Sequence, residues 1–350
     1  MMKNHFNLKV LFASVGLVSV VVVVLVHSKH SLSGFFFQTH PEVQESNVTF
    51  SWRTKNDVQS TDASKGGQHM KASPVKASEP CPEPPPDLVG RLHVVLETDR
   101  TLTEVRREVG SLLQQGGRYK PPNCVSKQKV AIIIPFRNQD EEMTHLLYYL
   151  HPILMRQQVD YGVYVINQDG EGLFNRAKLM NIGHVEALKE YDYDCFVFSD
   201  VDLVPLNDQN LYRCFDSPRH LSVAVDKFKF VLPYEKFFGG VISLSKDQFL
   251  KVNGFSNTFW GWGGEDDDLY NRIMIRLKSI SRPDSTIGRY KMIKPVEESN
   301  QHKPKNGNKP RETKTTLETD GLNSLKYTVK DIEKDRLFTF ITVNFTAPSA

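Results

Sequence analysis

The period of hydrophobic and polar positions changes several times along the chain, and each change marks an element. Residues 130–135 (VAIIIP), 161–167 (YGVYVIN) and 194–199 (DCFVFS) are apolar runs of the kind found in strands covered on both faces. Between the first two, residues 141–158 place Leu146, Leu147, Leu150, Ile153 and Leu154 at helical spacing behind an acidic start. Residues 175–190 read as a second helix. Strand, helix, strand, helix, strand predicts a central, mostly parallel twisted sheet flanked by helices, with right-handed crossovers. Upstream, 88–96 is a short apolar lead-in and 102–113 has helical spacing. Downstream, 221–225 and 239–244 read as strands and 246–252 as a short helix. A further helix starts in the acidic cluster 265–268 and continues through 269–277.

One apolar run is of another kind. Residues 10–26 (VLFASVGLVSVVVVVLV) carry no charge and would reach about 26 Å as a helix, enough to cross a thin bilayer. Lys3 and Lys9 precede it, which predicts a cytoplasmic tail at 1–9, a signal anchor at 10–26 and a lumenal remainder. A cleaved signal peptide is the competing reading, but no clear small-x-small cleavage site follows. Residues 27–86 are rich in Ser, Lys, Gln and Pro without apolar periodicity, and are expected to form a disordered stem. The lumenal domain then spans 87–350, with a nucleotide-binding-like half at 87–205, read from its alternating strands and helices, and a half of mixed pattern at 206–350. Sequons at Asn47 and Asn344 are candidate glycosylation sites in such a compartment. Four cysteines without C-x-x-C spacing leave three disulfide pairings open. The net charge of +3, with no Lys/Arg block, gives no case for a nucleic-acid partner.

Two stretches carry candidate chemistry. In FSDVDLVP a buried strand ends in Asp200 and Asp202, and ligands of open α/β sheets bind beyond the carboxyl ends of strands. Hard oxygen ligands there suit a divalent cation beside a diphosphate. In WGWGGEDDD (260–268) tryptophans and glycines run straight into four acids. Aromatic faces stack on sugar rings, and a carboxylate that reaches a sugar hydroxyl can serve as general base. The chain lacks both G-x-G-x-x-G and the Walker sequence, so a glycine-loop phosphate cradle is not expected.

With PFRN (135–138), FNRAK (174–178), FSDVDL (198–203), FFGG (237–240), WGWGGEDDD (260–268), SRP (281–283) and TDGLNSL (319–325) in this order, the chain resembles the β-1,4-galactosyltransferases from about Cys81 to Val343. These are type II Golgi membrane enzymes with a GT-A-type nucleotide-sugar-binding fold. The resemblance implies inverting, manganese-dependent transfer of galactose from UDP-galactose to terminal N-acetylglucosamine or glucose. It implies that Pro135, Phe136, Arg137, Phe174 and Arg176 hold uridine and ribose, assisted by Asp200 and Val201, with Lys227 near the diphosphate. Asp202 and Met292 would ligate manganese. The resemblance makes 206–350 the acceptor-binding half: Trp262 would contact both donor and acceptor sugars as part of a mobile loop, and with Tyr234, Phe237, Gly263, Gly264, Glu265, Asp266 and Asp267 would line the acceptor pocket. Asp266, with Glu265 and Trp262 beside it, would be the catalytic base. The family's bridges would be Cys81–Cys124 and Cys195–Cys214.

The chain departs from the family in four places. Pro295 stands where a third metal ligand, a histidine, is usual, which predicts weakened manganese binding and raises the alternative of a weakly active or inactive nucleotide-sugar-binding member. Residues 296–311 (VEESNQHKPKNGNKPR) lack the family's aromatic acceptor-loop residues, so a modifier protein like α-lactalbumin is not expected. Gln139 replaces an arginine near the nucleotide. Phe237 replaces a tyrosine whose hydroxyl faces the donor sugar, and this opens the use of UDP-N-acetylgalactosamine.

Overall fold

The computed structural model describes residues 79–293 and 312–346. Among these no helix is long and apolar enough to cross a membrane, and 10–26, Asn47, Pro295 and 296–311 lie outside them. Strands β1 (Lys129–Phe136), β2 (Asp160–Gln168) and β3 (Cys195–Ser199) are the three apolar runs of the sequence. They lie side by side and parallel, β3 and β2 flanking β1. Alternation along β1 supplies two cores. Val130, Ile132 and Ile134 pack under α1 (Leu102–Val109) and α2 (Asp140–Arg156), while Ala131 and Ile133 face α3 (Arg176–Glu190). Helices thus cover both faces, as unbroken apolar strands require.

The sheet is mixed rather than mostly parallel. Its order is β5 (Arg219–His220), β7 (Val241–Ser245), β3, β1, β2, β10 (Thr339–Asn344) and β9 (Thr328–Lys334). The parallel pairing expected from the sequence holds for β3-β1-β2-β10. Both edges are antiparallel: β7 runs against β3 and β5, and β9 runs against β10. The β9–β10 hairpin is absent from the sequence reading because β9, TVKDIEK, is an exposed edge strand with little apolar patterning. Chain from both sides of residue 205 therefore shares one sheet.

The single strand expected at 221–225 is two short ones in different sheets. After β5, the backbone amides of Leu221 and Ser222 both donate to the Val241 carbonyl, at 2.9 and 3.2 Å, which breaks the ladder. The Ser222 hydroxyl then accepts from Val241 N at 2.8 Å and donates to the Gly239 carbonyl at 3.0 Å. The chain leaves for a small sheet, β4-β8-β6, formed by Leu203–Pro205, Arg289–Met292 and Ala224–Val225. After β7 come α4 (Lys246–Lys251) and α5 (Glu265–Arg276). Both expected disulfides, Cys81–Cys124 and Cys195–Cys214, are present. Asn344 ends β10, and its side-chain amide donates to Asp169 at 3.4 Å.

Helix α3 sits so close to the sheet that a Cβ on Gly183 would come within 2.2 Å of Ile133 Cγ2. Glycine inside an exposed helix is ordinarily about 1 kcal/mol worse than alanine. Here overpacking, typically about 1–3 kcal/mol, should outweigh that gain. Gly183→Ala is therefore expected to lower stability in urea unfolding, whereas a rise in the midpoint would show that the helix can lift off β1 freely.

Candidate active site

Parallel neighbours end side by side, so the segments after β1 and β3 emerge at the same edge of the sheet. After β1, Arg137 donates to the Gly172 carbonyl at 2.5 Å and lies 5.1 Å from the Phe174 ring centroid. After β3 come Asp200 and Asp202. Helix α3 begins at this edge as well. Its N-cap Asn175 accepts from Lys178 N at 2.9 Å and ties down Asn257 O at 2.9 Å, fixing the first helical residue, Arg176.

Arg176 is the hub. Its Nε donates to Asp200 Oδ1 at 2.5 Å, while Nη1 reaches Asp266 Oδ1 at 3.0 Å and Glu265 Oε1 at 3.5 Å. Its Nη2 donates to the Gly240 carbonyl at 3.4 Å. The end of β3 and the start of α5 are thereby clasped by one cation. Burial pushes the Asp266 carboxyl well above its usual range, against the pull of Arg176, and Glu265, Asp200 and Asp267 push it further the same way. Glu265 is raised as well, chiefly by burial. Asp266 is thus a carboxylate with enhanced proton affinity, held in place by an arginine, which suits a general base.

Two glycines of FFGG are required by this packing. A Cβ on Gly239 would come within 2.3 Å of Asp266 Oδ2. Gly240 has φ +81°, and a Cβ there would meet Ser222 Oγ at 2.6 Å. The Gly239 carbonyl accepts from His220 Nε2 at 2.9 Å, and burial holds that imidazole neutral, its pKa down to about 3. Arg282 donates to the carbonyls of Glu235 and Phe237, at 2.7 and 2.9 Å. His220, Ser222 and Arg282 were not singled out from the sequence. The only trace they leave there is the SRP motif, to which no role attaches without the contacts.

An aromatic wall faces the acids. The Phe237 ring lies 5.4 Å from Tyr234, 6.0 Å from Phe228 and 5.5 Å from His220. The Tyr234 hydroxyl donates to Asp267 at 2.9 Å; desolvation first, and then this bond, raises its pKa. Trp262 stands 68% exposed between Gly261 and Gly263, both at positive φ. Gly264, also at positive φ, is the N-cap of α5, so Glu265, Asp266, Asp267 and Asp268 occupy the first helical turn, where the dipole favours anions. Gly261 N donates to Phe174 O at 2.7 Å, joining this turn to the FNRAK segment.

Other expected donor-site residues face elsewhere. Phe136 is buried edge-on against Phe340 at 5.6 Å, and Val201 belongs to the core. Pro135 is a buried residue of β1, so these three can serve the site only through their backbone. Lys227 is exposed on the turn Asp226–Phe228.

Asp202 and Met292 are neighbours because β4 pairs with β8: Leu203 opposes Met292, and Ile293 N donates to Asp202 O at 2.8 Å. Asp226, a residue the sequence reading passed over, accepts from Met292 N at 2.9 Å. Burial first, then the charge of Asp200, pushes the Asp202 carboxyl up to about 7. A half-buried carboxylate repelled by a second one is a fitting seat for a cation. Among the described residues no group of three or more His, Cys, Asp or Glu side chains could hold a metal, so what the fold brings together here is one carboxylate, Asp202, beside the backbone of Met292. A divalent cation bound through one carboxylate and substrate phosphates fits it.

Two family models match the chain: the N-terminal region of glycosyl transferase group 7 over residues 81–215, and the N-terminal domain of galactosyltransferase over 219–296. The chain is 55% identical to β-1,4-galactosyltransferase 1 of Bos taurus over 270 residues, covering 77% of this chain and 67% of that protein. It is 54% identical to β-1,4-galactosyltransferase 2 of Mus musculus over 271 residues, 77% of this chain and 73% of the relative. A crystal structure of a Drosophila β-1,4-galactosyltransferase 7 mutant in complex with manganese, UDP-Gal and xylobiose superposes with a TM-score of 0.55 at 28% identity. That match covers 63% of this chain and 95% of the other.

A cation entering beside Asp202 must displace its proton whenever the pH lies below the carboxyl's raised pKa of about 7. Divalent-cation affinity should accordingly fall about tenfold per pH unit below 7 and level off above 8. Calorimetric titration between pH 5.5 and 8.5 checks this, and an affinity flat down to pH 5.5 would contradict the burial of Asp202.

Proposed function

The chain belongs to the β-1,4-galactosyltransferase family and is a glycosyltransferase, and on that premise we propose how its residues carry the reaction. The reaction is transfer of galactose from UDP-galactose, in β-1,4 linkage and with inversion, to terminal N-acetylglucosamine or glucose of glycoconjugates. The observation that supports it most directly is the shared arginine: Arg176 binds Asp200 at the donor edge and Asp266 at the acceptor edge, within 3.0 Å of both.

Arg137 and Phe174 frame the uracil and ribose, and Lys227 approaches the diphosphate from the exposed turn after β6. Asp202 and Met292 would hold manganese, which when bound supplies a Lewis acid that offsets charge on the departing diphosphate. Asp266 takes the proton of the acceptor hydroxyl as that oxygen bonds the anomeric carbon. The bond from that carbon to the UDP oxygen breaks with its electron pair on UDP. Arg176 keeps Asp266 oriented, and its charge opposes the rise that burial imposes on the carboxyl. Trp262 covers the sugars from its glycine-flanked turn, and Glu265, Asp267 and Tyr234 accept or donate to acceptor hydroxyls.

A second reading, use of UDP-N-acetylgalactosamine, is favoured by one observation. Phe237 closes the aromatic wall with a ring that has no hydroxyl to discriminate donors. We further place this domain in the Golgi lumen, anchored by residues 10–26. That placement is supported by the flanking Lys3 and Lys9 and by two disulfides, which form in oxidising compartments.

Asp266→Asn should lower kcat about 10²–10⁴-fold with little change in KM for UDP-galactose, measured by UDP release with N-acetylglucosamine as acceptor. Asp202→Ala should abolish manganese-dependent turnover. A protein that binds UDP-galactose yet turns over at no manganese concentration would instead be a binding member of the family. Phe237→Tyr is expected to raise the galactose over N-acetylgalactosamine ratio of kcat/KM about tenfold. An unchanged ratio would remove the second reading.

A further inference from the structure

One residue of the FNRAK segment has no part in the reaction so far: Lys178. It is the third residue of α3, and its backbone N–H is the one that the Asn175 side chain caps, at 2.9 Å. Two features of this place disfavour a cation. Lys178 is only 9% exposed, and lysines are seldom buried without a close carboxylate. The first turn of a helix also carries the positive end of the macrodipole, and Arg176 already stands at its first position. Burial pushes the ammonium's pKa down, with the charge of Asp320 pulling the other way. Asp320 itself is taken up by the Ser256 hydroxyl and by the backbone N–H of Asn257 at 2.9 Å. The groups that meet the ammonium are two aromatic rings. Lys178 Nζ lies 4.7 Å from the ring centroid of Phe345 and 5.9 Å from that of Trp260, and the two rings are 5.7 Å apart. A cation over ring faces at such distances is held by their quadrupoles, more strongly when water is kept away. A methionine would fill the space without burying a charge, so a lysine here calls for a use of the charge.

That use lies in what Trp260 carries. Through Gly261 it leads directly to Trp262, the exposed ring of the site. The turn 260–264 is pinned at its base: Gly261 N donates to Phe174 O at 2.7 Å, Gly264 caps α5, and Trp260 rests against Lys178 and Phe345. Its tip is open, since a Cβ on Gly263 would meet nothing within 4 Å. Gly261, Gly263 and Gly264 all stand at positive φ, which gives the tip a backbone freedom that other residues lack. Where the Trp262 ring comes to rest is therefore decided at the base. Both supports of Trp260 are fixed to the central sheet, Lys178 through α3 and Phe345 as the residue after β10. One turn of α3 thus does two things: Arg176 clasps the first acids of α5, and Lys178 holds the tryptophan turn that leads into them.

We propose that Lys178 is a positioning residue for galactosyl transfer: its ammonium, seated on Trp260 and Phe345, fixes the base of the turn and so places the Trp262 ring over the acceptor sugar. The inference rests on the reading that Trp262 covers the sugars. Lys178 does not act on them itself; its effect passes through Trp260. The charge is needed as well as the bulk, because the pull of a cation is aimed at a ring face, whereas apolar packing has no direction.

The test compares Lys178→Met, which keeps the length and drops the charge, with Lys178→Arg, which keeps a cation, in the full-length chain in non-ionic detergent. With UDP-galactose and manganese saturating, Lys178→Met should raise KM for N-acetylglucosamine about tenfold, and Lys178→Arg less than about twofold. Trp262→Ala should raise it by about tenfold or more, and adding Lys178→Met to Trp262→Ala should raise it less than about twofold further, because nothing is left for the lysine to place. A lysine that only stabilised the fold would add its whole effect. A second readout needs no turnover. In protein labelled with fluorotryptophan, Lys178→Met should shift or broaden the fluorine NMR resonance of Trp262, identified by its loss in Trp262→Phe, and Lys178→Arg should leave it in place. The proposal is overturned if Lys178→Met leaves KM or that resonance unchanged, if the two substitutions add, or if Lys178→Arg is as impaired as Lys178→Met. An unchanged KM in Trp262→Ala would remove the covering role of Trp262, and this inference with it. A raised KM in Trp262→Ala beside an unchanged one in Lys178→Met would remove the inference alone.

Discussion

A single buried cation among three carboxylates holds this site together. Arg176 is 14% exposed and is shared by Asp200, Glu265 and Asp266, which arrive on two elements distant in sequence. Burial alone would favour its neutral form, and the three acids hold it charged instead. Breaking such a pair leaves uncompensated charges in a poorly hydrated place, so the geometry is costly to leave in either direction. The clasp also limits what the acids can do: with one arginine for three carboxylates, proton affinity at Asp266 and Glu265 stays raised.

Everything near the clasp serves to keep it narrow. The turn carrying Phe237 to Gly240 passes so near Asp266 that no side chain fits at Gly239. That turn is held from behind by a neutral His220, by the Ser222 hydroxyl and by Arg282. The broken strand after β5 is what makes this possible. Had 221–225 continued beside β7, β6 would not have reached β8, and Asp226 would not have met the Met292 amide.

Behind α5 a second buried ion pair sets the helix. Arg272, fully buried, donates to Asp268 at 2.6 Å, and Asp268 also accepts from the Thr313 hydroxyl. The four acids at the start of α5 therefore divide. Asp268 faces inward and is structural, Glu265 and Asp266 bind Arg176, and Asp267 reaches Tyr234. At helical spacing, four consecutive residues must point in different directions, and only the packing says which direction is the site.

The sequence by itself determined the central strands and their covering helices, because apolar runs buried on both faces and helical stripes are local patterns. It also located the reactive stretches, since Asp200, Asp202 and the acids after Gly264 stand out by composition, and the family motifs follow in order. It left three disulfide pairings open, and missed the β9–β10 hairpin, whose edge strand is polar. Only the tertiary structure decided that Arg176 neutralises acids from two segments and that Phe136 and Val201 turn into the core. It alone placed Asp226, His220, Ser222 and Arg282 behind the site. These are facts of which distant residues meet, and no spacing along a chain encodes a meeting that the sheet order creates.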